Sequence, residues 1–251
     1  MAGKTGTPET GCADAPPGPD APGPDAPPGP DALPGSRSAL DPGRAIKPGR
    51  HGLSPETVAG IQRERLIDAF VHVVSERGFA HTTISGVTEG AGVTKKTFYA
   101  HFSDLDACFL AAYQRGMDIL LRRMTEAHEA APSWPDGIHA GLRTLLAALA
   151  REPRFARASL VEVNAAGPQV RQARIDNLAR FRTFFADPSL APVPISVVDA
   201  IVGGIYSAIH VQMETGEAEE LPSLLPSLTY FALLPLVGRE AASPYLADDP
   251  G

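Results

Sequence analysis

Cysteine is almost absent: the 251-residue chain has two, Cys12 in a proline-rich stretch and Cys108 in a helical pattern. Two thiols so differently placed support neither a disulfide framework nor a zinc site. No pair of histidines has metal-ligand spacing, so no metal and no cofactor is expected. Long apolar runs are missing as well. No stretch reaches the roughly 18 to 20 uninterrupted apolar residues of a spanning helix, and no charged segment followed by an apolar one opens the chain. These absences predict a soluble, cytoplasmic protein with no membrane partner. There is no phosphate-cradling glycine loop, nucleophile elbow or dinucleotide fingerprint, so no catalytic residue is expected and the chain reads as a non-enzyme. Basic charge is in deficit too: 22 Lys and Arg stand against 29 Asp and Glu, a net charge of −7. Taken whole, that balance argues against a polyanionic partner, because phosphate binding is driven by cations that release counterions.

Its distribution argues the other way. Residues 37–102 hold 9 basic and 6 acidic side chains, whereas residues 103–251 hold 12 basic and 18 acidic. An acidic body behind a mildly basic face stays soluble and is oriented as it approaches a polyanion. Proline and glycine are also unevenly spread. Residues 1–50 contain 12 of the 25 prolines and 9 of the 24 glycines, in near-repeats of Pro-Asp-Ala-Pro. So little aliphatic surface cannot offset ordering entropy, which makes residues 1–52 a disordered tail by expectation. The end of that tail is basic. Arg44, Lys47 and Arg50 form an arm ahead of the first helix, of a kind that can reach into a minor groove or remain a solvated linker.

From Ser54 the pattern is helical. Ser54 caps and Pro55 occupies the first turn, then Leu66, Ala69, Phe70, Val73 and Val74 mark an amphipathic stripe, and Gly78 with Phe79 ends the helix near residue 77. Two short helices follow. Thr83 caps one whose Ile84, Val87 and Ala91 face inward; Gly92 breaks it, Val93 plugs the corner, and Thr94 caps the next. Helices joined so tightly cross steeply, which leaves the second protruding. On that second helix Phe98 and Phe102 face inward, while Lys95, Lys96, Thr97 and Tyr99 point out. Lysines suit guanine edges and phosphates, Thr97 offers a hydroxyl and a methyl, and Tyr99 and His101 can donate to phosphate oxygens. The free amides of Thr83 and Ile84 add a further phosphate contact. The plainer alternative is a helical hairpin with a solvated polar face.

The stretch from about residue 62 to 109 resembles the N-terminal domain of TetR-family regulators. The likeness is carried by Gly78-Phe79, Thr82, Thr83, Ile84, Val87, Ala91-Gly92-Val93-Thr94, Thr97-Phe98-Tyr99 and His101-Phe102. It implies an all-α fold: a three-helix helix-turn-helix DNA-binding domain at residues 53–102, then a larger helical ligand-binding and dimerisation domain at 103–240. It also implies DNA contacts at Thr83, Thr94, Lys95, Lys96, Thr97, Tyr99 and His101. The chain departs from the family pattern at Gly86 and Gly90, each costing a helix about 1 kcal/mol relative to alanine, and at Leu105, where the family usually carries a phosphate-binding lysine.

Beyond the motif, Ser103 and Asp106 look like a capping box opening a helix towards Ala130. Pro132, Trp134 and Pro135 break it, and Ile138, Leu142, Leu145, Leu146 and Leu149 mark the next helix. Segments near 195–215 and 222–237 are apolar around most of their circumference, and the Gly203-Gly204 pair permits close approach. They predict a homodimer through a four-helix interface, with an intrachain core as the alternative. Residues 241–251 read as a flexible end. A small apolar effector is expected among the helices between Tyr113 and His210, with Tyr113, Met117, Glu162, Asn164, Tyr206 and His210 as candidate contacts and Trp134 and Met213 as further lining. Function is then expected to be transcriptional regulation: a repressor released from a palindromic operator on double-stranded DNA by the effector. The alternative is a helical interaction protein whose DNA-binding motif is weakened or lost.

Overall fold

The computed structural model describes residues 31–38, 54–186 and 193–247. Among them there is no strand. α1 (Pro55–Arg77) starts where the Ser54 hydroxyl accepts the Thr57 N–H, and stops where Gly78 takes φ +77°, with its own N–H still bonded to the Val74 carbonyl. α2 (Ile84–Ala91) and α3 (Lys95–His101) follow. Leu66, Ile67, Phe70 and Val74 of α1 are sealed against Val87, Ala91 and Phe98. The rings of Phe70, Phe79 and Phe109 meet at centroid distances of 5.3–6.4 Å and tie this head to α4 (Leu105–Glu129).

α4 runs on into the body and packs along α5 (Trp134–Arg151). α6 (Pro153–Leu160) returns beneath α1, and α7 (Pro168–Arg180) lies on the other side of α4. α8 (Ile195–Thr215) and α9 (Leu225–Ala242) close the body. Within the body, α4 and α6 approach closely at one point. A Cβ on Gly116 would lie 2.0 Å from the Phe155 ring, so α4 and α6 approach through the missing side chain.

Several local expectations are corrected. The cap of α4 is Asp104, whose carboxylate accepts the Ala107 N–H at 2.8 Å; Ser103 only hydrogen-bonds to that carboxylate. Asp106 instead accepts the Gly167 N–H at 2.6 Å, a link from α4 to the start of α7. Ser133 caps α5, so Trp134 and Pro135 open that helix. The segment Ala218–Leu224 is a 3-10 turn, which moves the start of α9 to Leu225. α9 then passes residue 237 with a kink at Gly238, φ +79°. Within the end segment Tyr245 is anchored, its hydroxyl donating to Asp136 at 2.6 Å and its ring lying 5.5 Å from that of His139, while most of residues 241–247 are exposed.

The largest departure lies in the proline-rich region. Residues 31–38 are seated on the molecule, with the Leu33 side chain only 1% exposed. The Gly35 N–H donates to the buried Asp68 at 2.8 Å, and the Gly35 carbonyl meets His72 Nε2 at 2.9 Å. Arg122 bonds the Asp31 carboxylate and Arg123 its carbonyl, both at 2.7 Å. Gly35 has φ +83° and lies so close to Val71 that a Cβ would meet it at 2.5 Å, which makes glycine obligatory there. One leucine and four tertiary hydrogen bonds thus hold a strap that composition alone assigns to the disordered tail. Leu33→Ala should therefore lower unfolding free energy by about 2 kcal/mol in urea titration. A change below about 0.5 kcal/mol, the range of ordinary surface substitutions, would show that the strap carries no load.

Candidate nucleic-acid interface and ligand cavity

The turn between α2 and α3 is built from its caps. The Thr83 hydroxyl accepts the Gly86 N–H at 3.1 Å, and the Thr94 hydroxyl accepts that of Thr97 at 3.1 Å. Gly92 sits at φ 62°, ψ 38°, the left-handed conformation, and the Val93 N–H closes the corner onto the Thr88 carbonyl at 3.0 Å. An L side chain would be strained at Gly92, so this residue sets the crossing of the two helices.

α3 divides its residues by face. Phe98 is completely buried and Phe102 nearly so, their centroids 5.7 Å apart. Lys95 and Lys96 are exposed, and Tyr99 is 57% exposed, its ring edge-on to Phe98 at 5.7 Å. Of the other residues expected to meet DNA, Thr83 and Thr94 are exposed, Thr97 is half-buried with its hydroxyl 3.0 Å from that of Thr94, and His101 is half-buried. The structure therefore brings Lys95, Lys96, Thr97 and Tyr99 onto one outward ridge beside the Thr94 cap. Leu105 turns inward onto the core and offers nothing to a phosphate. The basic arm residues Arg44, Lys47 and Arg50 lie outside the described residues.

Arg63 was not singled out by its place in the sequence, yet it neighbours the ridge. Its guanidinium lies 5.4 Å over the Phe102 ring. Burial, and secondarily the Arg63 charge, lower the pKa of His101 below its ordinary 6.5. The ring is thus mostly neutral at pH 7. The unfolded chain holds the His101 proton to higher pH than the folded one, so this residue makes stability fall as pH drops from about 6.5 towards its folded value. An NMR titration should place the His101 midpoint below 6.5 in the free protein; a midpoint at or above it would contradict this environment.

Inside the body lies a cavity of about 90 Å³. It is walled by Tyr113 and Met117 of α4, Leu142 and Leu145 of α5, Ser159 and Leu160 of α6, Phe181 and Phe184 after α7, and Ile205 and Tyr206 of α8. Of the six candidate contacts, Tyr113, Met117 and Tyr206 line it. Glu162, Asn164 and His210 do not, and neither do Trp134 and Met213. Trp134 donates its indole N–H to the Phe184 carbonyl at 2.9 Å, Asn164 bonds the Leu160 and Val161 carbonyls, and His210 Nδ1 contacts the Leu160 carbonyl at 3.0 Å. Glu162 has a different place: its carboxylate accepts the Phe79 N–H at 2.8 Å, at the corner that ends α1, with Arg157 3.5 Å away. A single residue, Val161, thus separates the cavity wall at Leu160 from a direct body-to-head hydrogen bond. Sequence reasoning does not single out Phe181 and Phe184, because apolar residues in a segment that is basic on its other side read equally well as core. Among the described residues, no cluster of His, Cys, Asp and Glu can hold a metal.

Residues 66–112, from mid-α1 into α4, match the family of bacterial regulatory proteins named tetR. Residues 66–112 are a TetR-family domain. Its ridge and corner glycine belong to that domain. A curated relative, the uncharacterized HTH-type transcriptional regulator YerO of Bacillus subtilis, is 29% identical over 68 residues, 27% of this chain and 24% of that protein's length. Solved structures extend the fold likeness to the body. The fatty acid degradation regulator FadR from Bacillus halodurans superposes with a TM-score of 0.60 at 16% identity, over 71% of this chain and 97% of that one. FadR from Bacillus subtilis, solved in complex with stearoyl-CoA, also gives 0.60 at 16% identity, over 66% and 95%. A TetR-family regulator from Marinobacter aquaeolei gives 0.53 at 16% identity, over 70% and 96%. The TetR-type architecture of a helix-turn-helix head on a larger helical body therefore covers most of the described chain.

Proposed function

We propose that this TetR-type regulator is a cytoplasmic homodimeric repressor that holds a palindromic operator through two copies of α3 and releases it when a small apolar molecule enters the body. The partition of α3 carries the reading: Phe98 and Phe102 anchor a helix whose Lys95, Lys96 and Tyr99 stand in solvent, which is what entry into a major groove requires. Thr97 shares the ridge, and Thr83, Thr94 and His101 flank it as backbone-positioning contacts.

Two further features support the rest. α8 and the segment Ala218–Leu246 are long and apolar enough by composition to cross a membrane, with mean hydropathies of 1.4 and 1.5, and a third or less of each apolar window is buried. Asp199, His210 and Gln212 interrupt α8. The exposed residues Gly203, Ser207 and Val211 of α8 fall along one face, and Phe231 and Leu234 of α9 lie exposed beside it. A second copy covering that surface accounts for it. The cavity, in turn, sits where an occupant would press on α4 and α6, which carry the Phe155–Gly116 contact and lead to the Glu162–Phe79 hydrogen bond. A ligand that fits only one arrangement of these elements shifts the spacing of the two heads. The stearoyl-CoA held by B. subtilis FadR supports an apolar chain as the occupant.

Repeated selection from a random duplex pool tests the reading. Enrichment of an inverted repeat, bound with an affinity that falls steeply with salt, is the expected result. No enrichment, or a salt-insensitive interaction, would instead favour a helical interaction protein whose motif no longer reads DNA.

A further inference from the structure

The cavity has one polar end. Tyr113 and Tyr206 both line it, but the Tyr206 hydroxyl is already given to the Leu160 carbonyl at 3.2 Å. The Tyr113 hydroxyl has no hydrogen-bond partner among the described residues. Burial, reinforced by Tyr206, pushes its pKa well above the ordinary range, with Arg174 opposing, so it keeps its proton and remains a donor.

Arg174 is not part of the cavity lining but lies directly behind Tyr206 at that end. Its guanidinium lies 5.3 Å over the Tyr206 ring, and one turn further along α7 Leu178 lines the cavity. Its Nε is buried and unpartnered. Neighbouring arginines are all engaged: Arg171 holds the Ala166 carbonyl, Arg180 pairs with Asp118, and Arg182 with Asp199. No such ion pair joins Arg174 to a described residue. A buried guanidinium donor without an acceptor is costly unless a ligand supplies one, and a charge-assisted bond to an oxyanion would be among the strongest available.

We infer that the cavity takes an amphipathic anion, a single-chain carboxylic acid whose hydrocarbon lies between α4, α5 and α8 and whose carboxylate receives the Tyr113 hydroxyl and, as the Tyr206 ring is displaced, the Arg174 Nε–H. The inference rests on reading the cavity as the effector site, and it names the chemistry of the polar end: a free acid. The apolar wall supplies affinity for the chain, and the two donors select its head. At about 90 Å³ the cavity of the unliganded chain is smaller than a ten-carbon chain, so binding must widen it, and the shorter the chain the less α4 and α6 have to move.

Decanoate and 1-decanol, titrated calorimetrically into the full chain at pH 7.5, separate the two levels of the claim. Wild type should bind decanoate at least about tenfold more tightly than decanol. Arg174→Gln should bring decanoate down to the level of decanol, and Arg174→Lys, which keeps the charge, should recover part of the preference. Equal affinity for acid and alcohol in wild type, or an undiminished acid preference in Arg174→Gln, would overturn the carboxylate inference while leaving the apolar effector site standing. Binding of neither compound would overturn both.

Discussion

A chain with alanine at Lys95, Lys96 and Tyr99 will bind its operator at least about 100-fold more weakly than wild type, with unchanged helix content and oligomeric state. The size follows from the contacts each side chain can make: a bidentate base contact is worth about 1–3 kcal/mol, and each phosphate contact adds to the salt slope. A dimer loses every such contact twice. The fold is spared because all three side chains stand in solvent while Phe98 and Phe102 hold the helix from beneath. Gel shift across a salt series, with melting and sizing as controls, reads the result. An operator affinity within threefold of wild type would mean that α3 is not the reading edge.

The second large effect concerns the paired bodies. Val211→Glu combined with Leu234→Glu places two carboxylates per subunit on the exposed faces of α8 and α9, where Val211 is 51% and Leu234 37% exposed. Within one chain this is nearly neutral, since neither residue is buried. Across a two-fold interface it buries unpaired charge and repels the same charge on the partner. The variant should elute as a monomer at micromolar concentration and lose operator affinity by about 10²–10⁴-fold, because the second half-site then binds without the effective concentration that tethering supplies. A double variant that remains a dimer, or a monomer with wild-type affinity, would move the interface elsewhere or remove the need for one.

Much of this was legible in the sequence for a local reason. Caps, corner glycines and apolar periodicity act within a few residues, so Ser54, Gly78, Thr83, Gly92 and Thr94 gave the bounds of α1, α2 and α3, and the spacing of Phe98 and Phe102 gave the buried face of α3. What escaped is non-local. Leu33 is a single leucine where the preceding repeats carry proline, and only the tertiary surface of α1 and α4 gives it a place. Asp68, a buried carboxylate inside the apolar stripe of α1, was the available signal that something must donate to it. Glu162 was noticeable as a polar residue in an apolar segment, but its partner is a backbone amide 83 residues away. Asp104 rather than Ser103 caps α4, and Asp106 bonds the distant Gly167 amide instead of closing a capping box. Three of the six candidate cavity residues line the space; the other three are polar groups with partners elsewhere in the body or across the head–body joint, and periodicity does not distinguish these situations.

The central claim is that one exposed helical ridge, presented twice, reads the two halves of a symmetric site. Hydroxyl-radical footprinting of the selected operator tests it most directly. The account predicts two equivalent protected patches on one face of the duplex, with centres about 10 base pairs apart or a whole multiple of a helical turn. A single asymmetric patch, or protection spread without register along the duplex, would contradict it.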